Sequence, residues 1–138
     1  VDELKKRGIY VAIVSSGVSR FIGSIAHMLK VDDWAANDFL WDENGFLSGP
    51  TPSTVDSHDK GIMVEKLSKI NDFNPEMIWS VGDSSTDLSM KIPKSNFIGF
   101  NPARQRSLDA FKNANVPIVI ERDLKMIWPI IFGEDFPN

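Results

Sequence analysis

Residues 77–90 read MIWSVGDSSTDLSM. The apolar run at its start is short and reads as a strand over 77–81. Gly82 ends the run. Ser84-x-x-Asp87 ahead of Leu88 is a helix start signal, which predicts a short helix from about Ser85. A strand that stops at a polar turn and restarts as a helix is half of a βαβ unit. The same order occurs upstream. Ile9–Val14 (IYVAIV) is a continuous β-branched run, read as a strand buried on both faces. Ser15-Ser16-Gly17 makes the turn. Val18, Phe21, Ile22, Ile25, Met28 and Leu29 then return at helical spacing, so an amphipathic helix follows.

The remaining segments fit this alternation. Within 35–49, Phe39 and Trp41 alternate with polar residues and Asn44-Gly45 is a turn signal, so a small antiparallel hairpin is expected. SGPTPSTVDSHD (48–59) reads as a loop. Asp59 can cap a helix carrying Ile62, Met63, Leu67 and Ile70 on one face. Residues 71–75 connect it to the strand at 77–81. Strands are expected at 95–100 and 117–120, a helix at 103–112, and a last helix capped by Asp123 and running through Ile131. Alternating strands and helices imply right-handed crossovers. The expected fold is α/β: a doubly wound, Rossmann-like parallel sheet with flanking helices, in a single domain over 1–138. Ligands in such sheets bind at the C-terminal ends of strands. The opening VDELKKRG reads as the last turns of a helix, with Lys5, Lys6 and Arg7 at its negative end and Gly8 as a left-handed stop.

The chain has 138 residues, 42% hydrophobic and 25% charged, with a net charge of −4. These values allow a packed core, and the absence of a basic block argues against nucleic acid or an anionic membrane as a partner. There is no cysteine, so disulfides and thiolate metal sites are excluded, and the composition suits a reducing, cytoplasmic setting. No apolar stretch approaches the roughly 20 residues of a membrane span, and the charged start does not read as a signal peptide.

Three polar clusters carry candidate chemistry. Asp83 and Asp87 would bring two carboxylates together at a strand end, which suits magnesium, a cation that takes one or two carboxylates and completes its shell with water and phosphate oxygens. The same residues also match a capping box. Ser15, Ser16 and Gly17 at a strand–helix junction can offer hydroxyls and amide N–H groups to an anion, or Ser15 or Ser16 can simply cap the helix. Lys60 lies at the start of its helix, where a cation opposes the helix dipole. Either an anion sits beside it or Asp56 and Asp59 balance it. His27 and His58 show no metal-ligand spacing. The four tryptophans, 34, 41, 79 and 128, lack the interleaved basic residues of a stacking platform.

Together, VSSG (14–17), DKG (59–61) and GDSSTD (82–87) resemble three ordered motifs of the haloacid dehalogenase superfamily, in its phosphoserine-phosphatase-like branch. WAANDFLWDENGFLSG (34–49) and VIERDLKMIW (119–128) are also similar, and the resemblance covers about residues 4–131. It implies that Ser15 binds the substrate phosphoryl group, helped by amides around Ser16 and Gly17. Lys60 would pair with the phosphoryl oxygens and the nucleophile. Asp83 would ligate Mg2+ and Asp87 would support the metal site. Related phosphatases often have Asn where this chain has Thr86, and Thr reaches less far toward a phosphate. The family's nucleophile lies in a DxDx(T/V) motif after a central first strand, and residues 1–138 contain no such motif. Asp32-Asp33 is adjacent rather than alternate. The resemblance therefore implies the C-terminal part of a phosphatase, with the nucleophile, the central strand and the substrate-selecting cap upstream, and with no activity of its own. It also implies that another segment, a second copy or a rearranged strand fills the gap between the strands at 9–14 and 77–81. The substrate would be a small-molecule phosphomonoester. Two other readings stand beside this one: an inactive relative that keeps the phosphate and magnesium pockets as a regulatory module, and a receiver domain. The receiver pattern expects an acidic pair after the first strand, where this chain has Ser15-Ser16.

Overall fold

A computed structural model of the chain describes residues 1–138 except 38, 45, 51–54, 56 and 57; for 39–41 and 47–50 it describes the backbone alone. The turn expected at Asn44-Gly45, much of the 48–59 loop and Asp56 thus fall wholly or partly outside the described residues. The chain forms two compact units, Val1–Met63 and Val64–Asn138.

In the first unit, α1 (Asp2–Lys6) is followed by Gly8 with φ of 74°, the left-handed stop expected there. Strand β1 (Ala12–Val18) leads into α2 (Ser19–Leu29) and then β2 (Asp33–Asn37). β1 and β2 are parallel, with Ala12, Ile13 and Val14 opposite Asp33, Trp34 and Ala35. The register then shifts so that Val18 faces Asn37, and Ser15, Ser16 and Gly17 have no place in the ladder. The observed strand therefore starts later than the 9–14 reading and carries the polar turn inside it as a bulge. Asp32 joins the start of the unit to the sheet. Its carboxylate accepts the Val11 N–H at 2.7 Å and pairs with Lys5. Strands β3 (Phe39–Trp41) and β4 (Leu47–Pro50) form the expected antiparallel hairpin.

Two burial expectations are corrected here. β1 is half-buried along its whole length rather than buried on both faces. It has one ladder neighbour among the described residues, and no described strand covers its other edge. On α2, the sheet beneath is two strands wide and covers only a narrow stripe centred on Ala26; Phe21, Ile25, Met28 and Leu29 are exposed, Met28 by 78%. Trp34 packs against Gly23, where a Cβ would lie 2.9 Å from its ring.

Helix α3 (Gly61–Asn71) turns Gly61, Val64 and Ser68 inward. The expected face is wrong at Ile62 and Ile70, which are exposed, Ile70 by 79%. Spacing alone fits both stripes, and the small residues Gly61 and Ser68 take the buried one.

The second unit is built on β5 (Trp79–Gly82), β6 (Asn96–Phe100) and β7 (Ile118–Val119), all parallel, in the order β5-β6-β7. Helix α4 (Gln105–Asn113) follows β6. Its Phe111 meets Phe97 with ring centroids 5.6 Å apart, and both are fully buried with Ile98. Gly99 admits that contact, since a Cβ there would lie 2.4 Å from the Phe111 ring. Asp123 accepts the Lys125 N–H at 3.0 Å and caps a 3-10 turn that runs into α5 (Trp128–Phe132). Trp128, 3% exposed, contacts the rings of Phe132 and Phe136 at 4.4 and 5.2 Å. The parallel α/β character expected from the sequence is what the structure has, divided between two sheets.

Candidate functional site

The first unit contributes Ser15, Ser16, Gly17 and Lys60. The register shift takes Ser15–Gly17 out of the β1–β2 ladder, so their backbone groups bond elsewhere. The Ser15 hydroxyl accepts the Gly17 N–H at 3.0 Å. It does not cap α2: the N-cap is Val18, with no side-chain hydrogen bond. The capping alternative for these serines is therefore excluded, because the helix starts two residues beyond their reach. Lys60 is half-buried and its carbonyl accepts the Met63 N–H at 3.1 Å, at the entry to α3.

Asn37 was not singled out in the sequence. It is 8% exposed, at the end of β2. Its Nδ2 donates to the Ser16 carbonyl at 3.0 Å and to the Val55 carbonyl at 2.8 Å, while its Oδ1 accepts the Val55 N–H at 2.7 Å. The sequence signal is faint, one amide after two alanines, and nothing local distinguishes it from an exposed Asn.

The second unit contributes Gly82, Asp83, Thr86 and Asp87. Asp87 is 5% exposed, and its Oδ2 accepts the N–H groups of Asp83 at 3.1 Å and Ser84 at 3.2 Å. Ser84 completes the capping box. The helix it starts is a 3-10 turn, Ser85–Met90. Gly82 makes room for this arrangement, since a Cβ there would lie 2.4 Å from the Asp87 Cβ and 2.7 Å from Oδ2. Asp83 itself is exposed, and among the described residues its carboxylate holds no hydrogen bond or ion pair. The Thr86 hydroxyl lies 3.1 Å from the Ser84 hydroxyl, so its reach is shared with its own turn. Ser107, buried on α4, accepts the Ser85 N–H at 3.1 Å and fixes the turn from behind.

The two carboxylates thus differ in what they offer. Both lone-pair directions of Asp87 Oδ2 are engaged by amides, and it acts on Asp83 by holding its backbone. Asp83 points an open carboxylate outward. That donor set fits magnesium, which needs few protein ligands. Among the described residues no group of three or more His, Asp or Glu gathers into a ready-made metal cage. His27 and His58 are both exposed.

No model of a known protein family matches the chain. Among curated proteins it is 36% identical over 91 residues to phosphoserine phosphatase of Methanocaldococcus jannaschii, covering 65% of this chain and 43% of the relative. It is 33% identical over 102 residues to phosphoserine phosphatase of Archaeoglobus fulgidus, covering 73% of this chain and 29% of the relative. A crystal structure of phosphoserine phosphatase in apo form superposes with a TM-score of 0.80 at 32% identity, covering 94% of this chain and 62% of that one. The chain is a relative of the phosphoserine phosphatases. The fold is also shared by a HAD family hydrolase from Salmonella enterica, with a TM-score of 0.79 at 17% identity, covering 97% of this chain and 45% of that one. The matches span less than half the length of the curated phosphoserine phosphatases. No helix among the described residues is long and apolar enough to cross a membrane.

Proposed function

We propose that residues 1–138 form one hydrolase core, the C-terminal part of a magnesium-dependent phosphomonoester hydrolase of the phosphoserine-phosphatase type. The observation that carries this reading is the likeness at 32% identity across 94% of the chain, and the three ordered motifs of the sequence agree with it. Ser15, with the amide of Ser16, takes the phosphoryl oxygens, and Lys60 neutralises their charge. The Gly17 N–H donates to the Ser15 hydroxyl and leaves its O–H to donate to the phosphoryl group. Asp83 holds Mg2+, and Asp87 keeps Asp83 in place by gripping its amide. Thr86 adds at most one hydrogen bond to the phosphate. When bound, the metal supplies charge neutralisation as the phosphoryl group transfers. The substrate is a small-molecule phosphomonoester, with phosphoserine the first to test, and the setting is cytoplasmic.

The chain has no DxDx(T/V) motif, so the attacking carboxylate belongs to a preceding segment, and 1–138 alone is inactive. A strand from that segment, or from a second copy, pairs with β1, which has one ladder neighbour among the described residues. The same lack of a motif favours the inactive regulatory module as the second reading. Assay of the parent polypeptide with magnesium against a panel of phosphomonoesters separates the two. Turnover that Asp83→Asn abolishes, while leaving the melting temperature unchanged, supports the hydrolase. Binding of phosphate without turnover supports the module, and turnover unaffected by Asp83→Asn refutes the role of Asp83.

A further inference from the structure

We infer that Asn37 is a positioning residue for the phosphate-binding part of the site, holding the Ser15–Gly17 bulge and the segment ahead of Lys60 to each other through one buried amide. This rests on the reading of Ser15–Gly17 and Lys60 as phosphate-binding groups.

Three observations carry it. The bulge has no partner in the β1–β2 register, which skips Ser15–Gly17. Asn37 donates to the Ser16 carbonyl, which orients the peptide between Ser16 and Gly17 and so sets the Gly17 N–H that holds the Ser15 hydroxyl. The same side chain bonds both backbone groups of Val55, five residues ahead of Lys60. Val55 is buried, so this anchor is fixed by packing as well as by hydrogen bonds. An amide is the one side chain that meets the requirement. It offers two donors for two carbonyls and an acceptor for one N–H at the same point. Ser is too short to span both segments, and an ionised Asp has no donor.

The test uses the parent polypeptide with sulfate, a fixed dianion that stands in for the phosphoryl group. Binding is read from the Ser16 and Gly17 amide shifts in a two-dimensional NMR spectrum. Asn37→Ser removes the bridge without adding charge and is expected to weaken sulfate about tenfold, the worth of the lost bond to the Ser16 carbonyl. Asn37→Thr, bulkier than Ser but equally unable to supply two donors and an acceptor, is expected to do the same. A role confined to stability would lower the melting temperature and leave sulfate affinity and the Ser16 and Gly17 shifts of the folded variant unchanged. If Asn37→Ser fails to fold, Asn37→Thr decides alone. Sulfate affinity unchanged in either variant overturns the inference. Anion-free hydrogen exchange separates it from the reading beneath it. If wild-type chain binds no sulfate, yet Gly17 exchanges faster in Asn37→Ser while Ala35 does not, the phosphate reading fails and Asn37 still organises the bulge. If Gly17 exchange is also unmoved, the inference on Asn37 fails as well.

Discussion

Replacing Gly82 with Ala tests the link between the carboxylate pair and the backbone. The added methyl would lie 2.4 Å from the Asp87 Cβ, 2.7 Å from Oδ2 and 2.8 Å from Cγ. The Cβ is tied to the backbone, so rotation of the side chain cannot relieve the contact. Asp87 is also buried and holds the amides of Asp83 and Ser84. Something must shift, and overpacking of this kind costs about 1–3 kcal/mol. If Asp87 swings away, hydrogen bonds to a charged group are lost as well, at about 1.5–3 kcal/mol each before relaxation. We expect a net loss of about 3 kcal/mol, or roughly 10 °C in melting temperature for a chain of this size. Thermal unfolding by circular dichroism measures the loss, and the amide shifts of Asp83 and Ser84 show whether their acceptor has moved. The double variant with Asp87→Gly removes the clashing Cβ, so Gly82→Ala should cost little in that background. A melting temperature within about 2 °C of wild type, the range of an ordinary surface substitution, would refute the contact. Additivity of the two substitutions would refute it equally.

Two further outcomes follow from the fold. The Lys5 ammonium and then the Val11 N–H hold the Asp32 carboxyl below its ordinary 3.8, so this group adds stability above its unfolded value and the contribution is lost as pH falls through the lower folded value. Urea midpoints measured from about pH 5 downward should therefore fall more steeply for wild type than for Asp32→Asn; parallel curves would remove Asp32 from the acid response. Gly99→Ala should destabilise by about 1–3 kcal/mol, because the methyl meets a fully buried Phe111 ring that has nowhere to turn, and Phe111→Leu should restore part of the loss in denaturant unfolding.

The alternation of apolar runs and turns was legible in the sequence because each run has one period and clear punctuation. The hairpin, β6 and the Asp123 cap are all found where the residues placed them. β2 was not legible as a separate parallel strand. DWAAN has five residues and no apolar run, and its strand character comes from pairing with β1. The faces of α2 and α3 were misjudged because periodicity shows that a stripe exists, while the width of the sheet beneath decides how much of it is covered. At the site, the types of residue were legible and their division of labour was not. Asp83 and Asp87 look alike as letters. Only the approach of Gly82 and the burial of Asp87 separate the carboxylate that faces outward from the one that grips the backbone. Asn37 was invisible because its partners are main-chain groups far along the chain, which no local motif encodes.

The contrast between Trp128 and Trp34 has a spectroscopic consequence. Trp128 is sealed among the Phe132 and Phe136 rings in the second unit, and Trp34 is partly exposed beside Gly23 in the first. Indole emission shifts to the red and is quenched more readily in water than in an apolar shell. With Trp41 and Trp79 replaced by Phe, the chain carries a shielded fluorophore in one unit and an accessible one in the other. Acrylamide quenching resolved by wavelength can tell whether the two units melt together or one at a time.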